Sequence, residues 1–338
     1  MITVVIPTIG RRSLRRLLAA LGPDVDTIVV DDRPRFCPSL AVPPHVRVLR
    51  TGGRGPAAAR NAGWRAASTQ WVAFLDDDVL PPPGWTDALL ADLCGLAEDV
   101  AGSQGRLTVP LPAERRPTDA ERNTAALMDA GWATADMAYR RDALEAVGGF
   151  DERFPRAYRE DADLALRLLK AGYGLVKGKR TTEHPVRDDG FWTSVRAQRG
   201  NADDALMRRL HGPGWRTAIG GAPGRLALHA LTSALGLAAC ALFVVGSGRG
   251  REHTRPGRAG TAGSRVRGAH GAASGVAGRA PAAAAGLGWL VLTTDFVWAR
   301  VAPGPRTPAE VLRMAVTSVV IPPVACVHRL RGELRARR

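Results

Sequence analysis

Apolar strand patterns alternate with helical patterns over the first 95 residues, and this alternation restricts the possible folds more than any other feature of the chain. The apolar, β-branched segments are 2–8, 26–32, 45–50 and 71–78. Between them lie a leucine-spaced segment (12–21), a segment opened by Pro56, and one that follows a suitable N-cap, Thr86. Fully apolar strands separated by helices predict a mostly parallel α/β sheet flanked by helices on both faces.

Polar residues follow three of the predicted strands at their carboxyl ends. These are Pro7-Thr8, Asp31-Asp32 and the run 76–78, which is three adjacent aspartates. Because ligands of such sheets bind at the carboxyl ends of the strands, we expect these residues to converge on one crevice. Neighbouring carboxylates raise each other's pKa unless a cation neutralises them, and Mg²⁺ or Mn²⁺ would accept such oxygen ligands. A solvated acidic turn is the alternative interpretation.

The net charge of +15 belongs almost entirely to the C-terminal part of the chain. Residues 1–200 contain 28 Lys and Arg against 26 Asp and Glu, whereas residues 201–338 contain 19 Arg, no Lys and 6 acidic residues. The first 200 residues therefore have no bulk preference for polyanions, and no specific nucleic-acid partner is expected. The four cysteines are widely spaced, and the N-terminus lacks a signal-peptide pattern. Both features predict a cytoplasmic, reducing location for this part.

An ordered set of motifs spans about residues 1–210. In chain order they are VVIPTIGR, VVDD, RGPAAARNAGW, FLDDDVLPPPGW, GGFDERF, REDADLALRLLKAGY and EHPVR. Together they resemble the family 2 glycosyltransferases of GT-A fold. The resemblance implies an inverting, metal-dependent enzyme that moves a sugar from a nucleotide-diphosphate donor to a hydroxyl acceptor.

The resemblance also implies a donor side for this site. Asp78 would be the direct metal ligand and His184 a further one, for Mn²⁺ or Mg²⁺; a surface position for Arg60 and a simple loop position for His184 are the alternatives. The residues that would bind the donor nucleotide are Pro7, Thr8, Asp31, Arg60, Asn61, Asp76 and Asp77.

On the acceptor side, the resemblance implies that Asp161 is the general base. It would deprotonate the acceptor hydroxyl as that oxygen attacks the anomeric carbon, which inverts the centre. The further acceptor-side candidates are Trp132, Asp136 and Glu160. Core packing is the alternative for Trp132, and the role of Asp136 is left open. The alternative for the Glu160-Asp161 pair is the ordinary preference for acids at a helix start.

One departure from the family pattern bears on processivity. Membrane-embedded polymerising relatives carry Q-x-x-R-W after this acidic pair, whereas this chain has RAQRGNADD, with Gln198 and Arg199 adjacent and no Trp following. We therefore expect transfer of one or a few sugars. Two other functions stay open at this point: a nucleotidyltransferase acting on sugar phosphates, and a non-enzymatic basic membrane or nucleic-acid binder.

The C-terminal third differs in character from the rest. We predict a catalytic domain over 1–212, an apolar helical segment over 213–246, a disordered Gly/Ala/Arg-rich linker over 247–280, and apolar helices with a basic tail over 281–338. The apolar segments could lie on an anionic membrane surface, span it as a hairpin, or pack as a soluble helical subdomain. A polyprenyl-linked or envelope glycan acceptor would favour a location at the inner face of the cell membrane.

Overall fold

Seven strands form one mixed sheet in the computed structural model of the chain, which describes residues 2–34, 38–187, 190–252 and 279–337. The strands are β1 (Ile2–Thr8), β2 (Asp26–Asp31), β3 (Arg47–Arg50), β4 (Trp71–Leu75), β5 (Val100–Thr108), β6 (Asp136–Arg140) and β7 (Gly174–Glu183). Their order across the sheet is β3-β2-β1-β4-β6-β5-β7. Only β6 runs antiparallel to its neighbours, so the predicted mostly parallel sheet is confirmed.

Helices cover both faces of this sheet. The helices that pack on it are α1 (Ser13–Leu21), α2 (Pro56–Ala66), α3 (Trp85–Leu93), α5 (Arg141–Ala146) and α6 (Glu160–Lys170). The other short helices of the chain are α4 (Asp119–Ala125), α7 (Thr193–Arg196), α8 (Gly200–His211) and α9 (Trp215–Ala218). Strand β1 shows how the two faces are divided. Val4 and Ile6 pack with the leucines of α1 on one face, and Val5 packs with α2 on the other. A Cβ on Gly63 of α2 would lie 2.2 Å from Val5 Cγ1, so glycine permits this close approach.

Several elements differ from the sequence prediction. Strand β4 ends at Leu75, so the three aspartates lie in the turn that follows it. Helix α3 begins at Trp85 after Gly84 in a left-handed conformation, and Thr86 is not its cap. The single helix predicted over 193–210 is divided into α7, a 3₁₀ turn (Ala197–Arg199) and α8. Strands β5, β6 and β7 were not predicted, because their polar and glycine residues interrupt the apolar pattern.

The described residues divide into an α/β unit and a helical unit. The α/β unit comprises residues 1–193, 200–223 and 331–338, and therefore extends beyond the boundary predicted at residue 212. The helical unit comprises 194–199 and 224–330. Of the predicted linker 247–280, residues 253–278 lie outside the described residues, and the described flanks are helical.

Three long helices extend through the helical unit: α10 (Leu226–Glu252), α11 (Arg279–Val301) and α12 (Pro308–Ala336). Each is long and apolar enough to cross a membrane. Helices α10 and α11 pack closely where small residues meet large ones, since a Cβ on Gly236 would lie 2.9 Å from the Trp289 ring.

The helical unit exposes apolar side chains and buries polar ones. Its exposed apolar residues include Leu237, Phe243, Leu287, Trp298 and Leu312, and its buried polar residues include His229, Thr232, Thr293, Glu310, Thr317 and Ser318. A water-soluble unit buries its apolar surface, because that burial is the main force for folding. Exposed large apolar side chains in such numbers are typical of a partner or membrane interface.

Candidate active site

The polar residues at the strand ends lie together, as predicted. Thr8 ends β1 and pairs in register with Asp31 at the end of β2. Strand β4 lies on the other side of β1, so the turn 76–78 begins at the same edge of the sheet. Pro7, half-buried, precedes Thr8 in β1. This edge of the sheet therefore gathers the carboxylates that the sequence distributes over three strands.

Asp77 connects the ends of β1 and β4. The Thr8 hydroxyl donates to its Oδ2 at 2.5 Å, and Arg11 Nη1 donates to its Oδ1 at 2.7 Å. The carboxylate is buried, with 2% of its surface exposed. Because both oxygens are bonded to protein groups, we assign Asp77 to fixing the strand ends, in place of the predicted contact with the nucleotide.

Asp78 is the least satisfied carboxylate of the turn. Its Oδ2 is buried without a hydrogen bond of good geometry among the described residues, although Arg187 Nη2 lies 3.0 Å away and Arg11 Nη1 3.6 Å away. Burial raises the pKa of Asp78 and the neighbouring Asp76 raises it further, against the opposing charge of Arg187. The surroundings therefore disfavour the ionised carboxylate, and a cation bound beside it would offset that cost.

The side chains at Asp78 fit a divalent cation only as a partial ligand set. His184 Nε2 lies 3.9 Å from Asp78 Oδ1, so the two predicted ligands are neighbours. Within the described ranges, no group of three or more His, Cys, Asp or Glu side chains is arranged to hold a metal ion. Mg²⁺ is commonly bound by one or two carboxylates, with substrate phosphates and water completing its shell. The site therefore fits a cation that arrives with a phosphorylated ligand.

Arg60 joins the aspartate turn to the start of α6. Its Nη2 donates to Asp76 Oδ1 at 2.8 Å, and its Nη1 donates to Glu160 Oε1 at 2.6 Å. Arg60 is 1% exposed, which excludes the surface position considered as an alternative. Burial alone would lower the pKa of this guanidinium, but the two carboxylates hold it above its usual value. One buried cation thus fixes the turn after β4 against the acidic pair.

The acidic pair opens helix α6. Burial raises the pKa of Glu160 to about 7, despite its bond to Arg60, and its Oε2 has no partner among the described residues. Because Glu160 is only 2% exposed, we assign it to holding Arg60, in place of the predicted acceptor contact. Burial also raises the pKa of Asp161, while the Ala162 N–H and Arg60 oppose the rise. A carboxylate with a raised pKa is a stronger base when ionised, as proton abstraction requires.

The acids after β2 have separate structural partners. Arg33 donates to both oxygens of Asp31, at 2.8 and 2.6 Å, and this pairing lowers the pKa of that carboxyl. Asp32 accepts hydrogen bonds from the Thr51 hydroxyl and from three backbone N–H groups of 53–55. Asp32 therefore organises the loop before α2. Its role was not identified from sequence, because the four donors lie about 20 residues away.

Asn61 is fully engaged in packing. Its amide nitrogen donates to Phe150 O at 2.9 Å and Glu152 Oε1 at 3.0 Å, and its oxygen accepts from Phe150 N and Trp64 Nε1, both at 2.9 Å. An amide side chain offers two donors and one oxygen with two lone pairs, so none is left for a ligand. The predicted nucleotide contact is therefore corrected: Asn61 fixes α2 to the segment 149–152.

Asp136 is a core residue and does not line an acceptor site. It is completely buried and accepts bonds from Trp85 Nε1 at 2.9 Å, Arg180 Nε at 2.8 Å and the Thr182 hydroxyl at 2.5 Å. A Cβ on Gly105 would lie 2.3 Å from Asp136 Oδ2, so this strand position also excludes larger residues. The predicted acceptor role is therefore wrong, because the carboxylate pairs with a buried cation inside the sheet.

Trp132 has an unusual backbone conformation. Its φ of 67° lies in the left-handed region, and its N–H donates to Gln104 Oε1 at 2.7 Å. The Gln104 amide in turn donates to Ala130 O at 3.0 Å, which fixes both sides of the loop. The half-buried indole packs partly against the core, so stacking on a sugar stays a prediction for its exposed part.

Two cations of the site were not singled out from sequence. Arg11 and Arg187 both face Asp78, and both remain partly exposed, at 37% and 43% of their side-chain surface. Each is the last residue of a motif quoted above: Arg11 ends VVIPTIGR, and Arg187 ends EHPVR. A search for the charges that balance three adjacent aspartates would have identified them.

The sheet, with an acidic turn after β4 and a second acidic pair on α6, is typical of an α/β domain that binds its ligand at the carboxyl ends of the strands. Residues 3–150 match the family model described as "Glycosyl transferase family 2". Residues 3–150, under half of the chain, are therefore similar to this glycosyltransferase family, and this similarity favours a glycosyltransferase over the nucleotidyltransferase and the non-enzymatic binder.

Among curated proteins, the chain is 36% identical over 192 residues to the pre-mycofactocin glycosyltransferase of Mycobacterium tuberculosis; the match covers 51% of this chain and 39% of that protein. It is 43% identical over 72 residues to the succinoglycan biosynthesis protein ExoO of Rhizobium meliloti, covering 20% of this chain and 21% of that one. The chain thus spans well under two thirds of the length of these relatives. The crystal structure of S. aureus TarS is similar at a TM-score of 0.40 and 17% identity, over 63% of this chain and 41% of that one.

Proposed function

We propose that this chain is an inverting, metal-dependent glycosyltransferase that moves a sugar from a nucleotide-diphosphate donor to a hydroxyl acceptor. The acceptor is a glycan, a lipid-linked sugar or a small molecule in glycoconjugate or envelope synthesis. Transfer is non-processive, since the chain lacks the Q-x-x-R-W pattern of polymerising relatives.

The observation that carries this proposal is that the Arg60 guanidinium forms ion pairs with both Asp76 and Glu160. It holds two acidic segments about 85 residues apart in the chain on opposite sides of one guanidinium. On one side lies Asp78 with its unsatisfied oxygen, and on the other lies Asp161 with its raised pKa. A displacement at an anomeric carbon needs these two functions: charge compensation for the leaving group and a base for the incoming hydroxyl.

In the reaction we propose, Asp161 accepts the proton of the acceptor hydroxyl while that oxygen forms a bond to the anomeric carbon. The bond between this carbon and the diphosphate oxygen breaks, and the nucleoside diphosphate leaves with the electron pair. Arg11 and Arg187, partly exposed beside Asp78, can turn toward the growing charge on the phosphates. Attack opposite to the leaving group inverts the anomeric centre.

The divalent cation would be held by Asp78 and His184 together with the donor phosphates. When bound, it supplies Lewis-acid neutralisation of the leaving diphosphate, so that no proton donor is needed on that side. Asp76, which is 27% exposed on its side chain and bonded to Arg60, is placed to contact the donor ribose or metal-bound water. Asp31 would accept a base N–H or a ribose hydroxyl only if Arg33, which now donates to both of its oxygens, turned away from it.

Cation-dependent nucleotide binding is the first test. We expect Mn²⁺ with UDP or GDP, screened separately, to raise the melting temperature by about 5 °C at 100-fold excess over Kd. EDTA should remove the shift because the phosphates would then face uncompensated carboxylates. Release of the same diphosphate from a panel of nucleotide sugars, with acceptors that include pre-mycofactocin, would identify the substrates. A nucleotide shift that is equal with Mn²⁺ and with EDTA would contradict metal dependence.

We further propose that the helical unit associates with a membrane. Its helices carry their apolar side chains outward, with Leu237 73% exposed and Leu287 62% exposed. Burying such surface in lipid contributes about 25 cal/mol per Å². The arginines near the ends of these helices suit the anionic lipid headgroups of an inner membrane face.

Cell fractionation tests this location. We expect the full chain in the membrane pellet at low salt and at high salt, with release only by detergent. Leu237→Arg combined with Leu287→Arg should shift the protein toward the soluble fraction. Leu90→Arg, at an exposed leucine (47%) of the α/β unit, is the matched control and should leave the distribution unchanged. Recovery of the unaltered chain in the soluble fraction without detergent would refute the proposal.

A further inference from the structure

The residue immediately before the acidic pair has a strained backbone. Arg159 has a φ of 77°, in the left-handed region that costs a side-chain-bearing residue free energy. It is the N-cap of α6, and its carbonyl accepts the Asp163 N–H at 2.8 Å, so its conformation sets the first turn of that helix. Asp161 lies in this turn. A strained residue persists only where its surroundings determine its conformation, and such residues concentrate at functional sites.

The Arg159 side chain is held from three directions. Its Nε donates to Asp204 Oδ1 at 2.9 Å, and its Nη2 donates to the Tyr158 hydroxyl at 2.7 Å. The guanidinium also lies over the Trp215 ring, 4.8 Å from its centroid. Asp204 is 4% exposed, and its other oxygen, Oδ2, forms an ion pair with Arg216. Asp204 and Trp215, both buried, therefore fix the side chain and can hold the backbone in a conformation that it would otherwise leave.

A second ion pair between α8 and the segment 156–159 provides a comparison. Asp203 forms an ion pair with Arg156, which lies at the other end of this segment from Arg159. This pair also holds α8 against the segment 156–159, but neither Arg156 nor Asp203 has a left-handed backbone conformation. A Cβ on Gly200 would lie 2.6 Å from the Tyr158 ring, so the start of α8 contacts the turn closely. Docking of α8 and fixation of Arg159 can thus be separated by mutation.

We propose that Arg159 is a positioning residue for Asp161, and that Asp204 and Trp215 hold the strained backbone that places this carboxylate. The inference rests on the proposed function, in which Asp161 is the base. The positioning partners lie on α8 and α9, beyond the residues 3–150 that match the family model. In this proposal the segment after residue 200 contributes to catalysis by holding Arg159 at the start of α6.

Glycine rescue tests the proposal, because glycine adopts a φ of 77° without steric cost. All variants are assayed at the same pH of about 8, well above the ordinary aspartate range. We expect Arg159→Ala to lower kcat about tenfold or more, and Arg159→Gly to stay within about threefold of the unaltered enzyme. Asp204→Asn should lower kcat as Arg159→Ala does, and should have no further effect in the Arg159→Gly background. Mn²⁺-dependent nucleotide affinity should be unchanged in all of them.

Asp203→Asn is the control, and we expect it to leave kcat within about twofold even where it lowers the melting temperature. The proposal is overturned if Arg159→Gly loses as much activity as Arg159→Ala, or if the Asp203 and Asp204 variants lose activity equally. A melting temperature of Arg159→Gly at or above that of Arg159→Ala supports the strain without any substrate, and the reverse order contradicts it. Full activity of Asp161→Asn would instead refute the proposed function. The melting temperatures of Arg159→Gly and Arg159→Ala would still test the backbone strain separately.

Discussion

Asp161→Asn is expected to abolish sugar transfer while leaving donor binding intact. Asparagine keeps the shape of the side chain but cannot accept the hydroxyl proton, so kcat should fall by about 10³-fold, as is typical for loss of a general base. Asp161 is not bonded to the aspartate turn directly; Arg60 makes that connection through Asp76 and Glu160. The Mn²⁺-dependent melting shift with a nucleoside diphosphate should therefore be the same as for the unaltered chain.

The pH profile adds a second measurement on the same carboxylate. Because burial raises the pKa of Asp161, the acid limb of kcat/KM should lie above the ordinary aspartate value of about 3.9. Below that limb the base is protonated and transfer slows. Asp87→Asn, in the exposed first turn of α3, is the matched control and should change neither rate nor profile. Equal loss of nucleotide binding in the Asp161 and Asp78 variants would indicate misfolding and count against the assigned roles.

The placement of the site could be predicted from sequence because it follows from the sheet. Apolar strands that alternate with helices must be mostly parallel, and their carboxyl ends then share one edge. Thr8, Asp31 and the turn 76–78 each directly follow or end such a strand, so their convergence required no knowledge of individual contacts. The position of Glu160-Asp161 opposite this edge came from the family resemblance and not from any periodicity.

The partners of individual polar side chains could not be predicted in the same way. The donors and acceptors that occupy Asn61 lie up to 91 residues away, and Arg180 reaches Asp136 across 44 residues. Pattern and spacing assign a residue to a strand end or a helix face, but they do not show whether a buried partner already uses its hydrogen bonds. For the same reason the sequence could not distinguish Asp77 from Asp78. Both oxygens of Asp77 accept hydrogen bonds, whereas Asp78 Oδ2 accepts none among the described residues.

Asp78→Asn is expected to change stability and function in opposite directions. The raised pKa of Asp78 means that its ionised form is less favourable in the folded protein than in the unfolded chain. An acid shifted this way weakens the fold as pH rises through its folded pKa. At neutral pH, asparagine removes this cost and relieves the repulsion from Asp76. The melting temperature without ligands should therefore rise by about 1–3 °C, the effect of roughly 1 kcal/mol in a chain of this size.

The same substitution should remove the Mn²⁺-dependent shift, because the amide provides a weaker oxygen ligand without the charge that a divalent cation requires. Asp77→Asn is the informative control. That carboxylate accepts from both Thr8 and Arg11, so its loss should lower the melting temperature. A lower melting temperature for Asp78→Asn, together with an undiminished Mn²⁺ response, would show that Arg187 and Arg11 stabilise this carboxylate for structural reasons. The pair of opposite shifts distinguishes a carboxylate kept for a cation from one kept for the fold, and we expect Asp78, whose Oδ2 has no hydrogen bond among the described residues, to behave as the first kind.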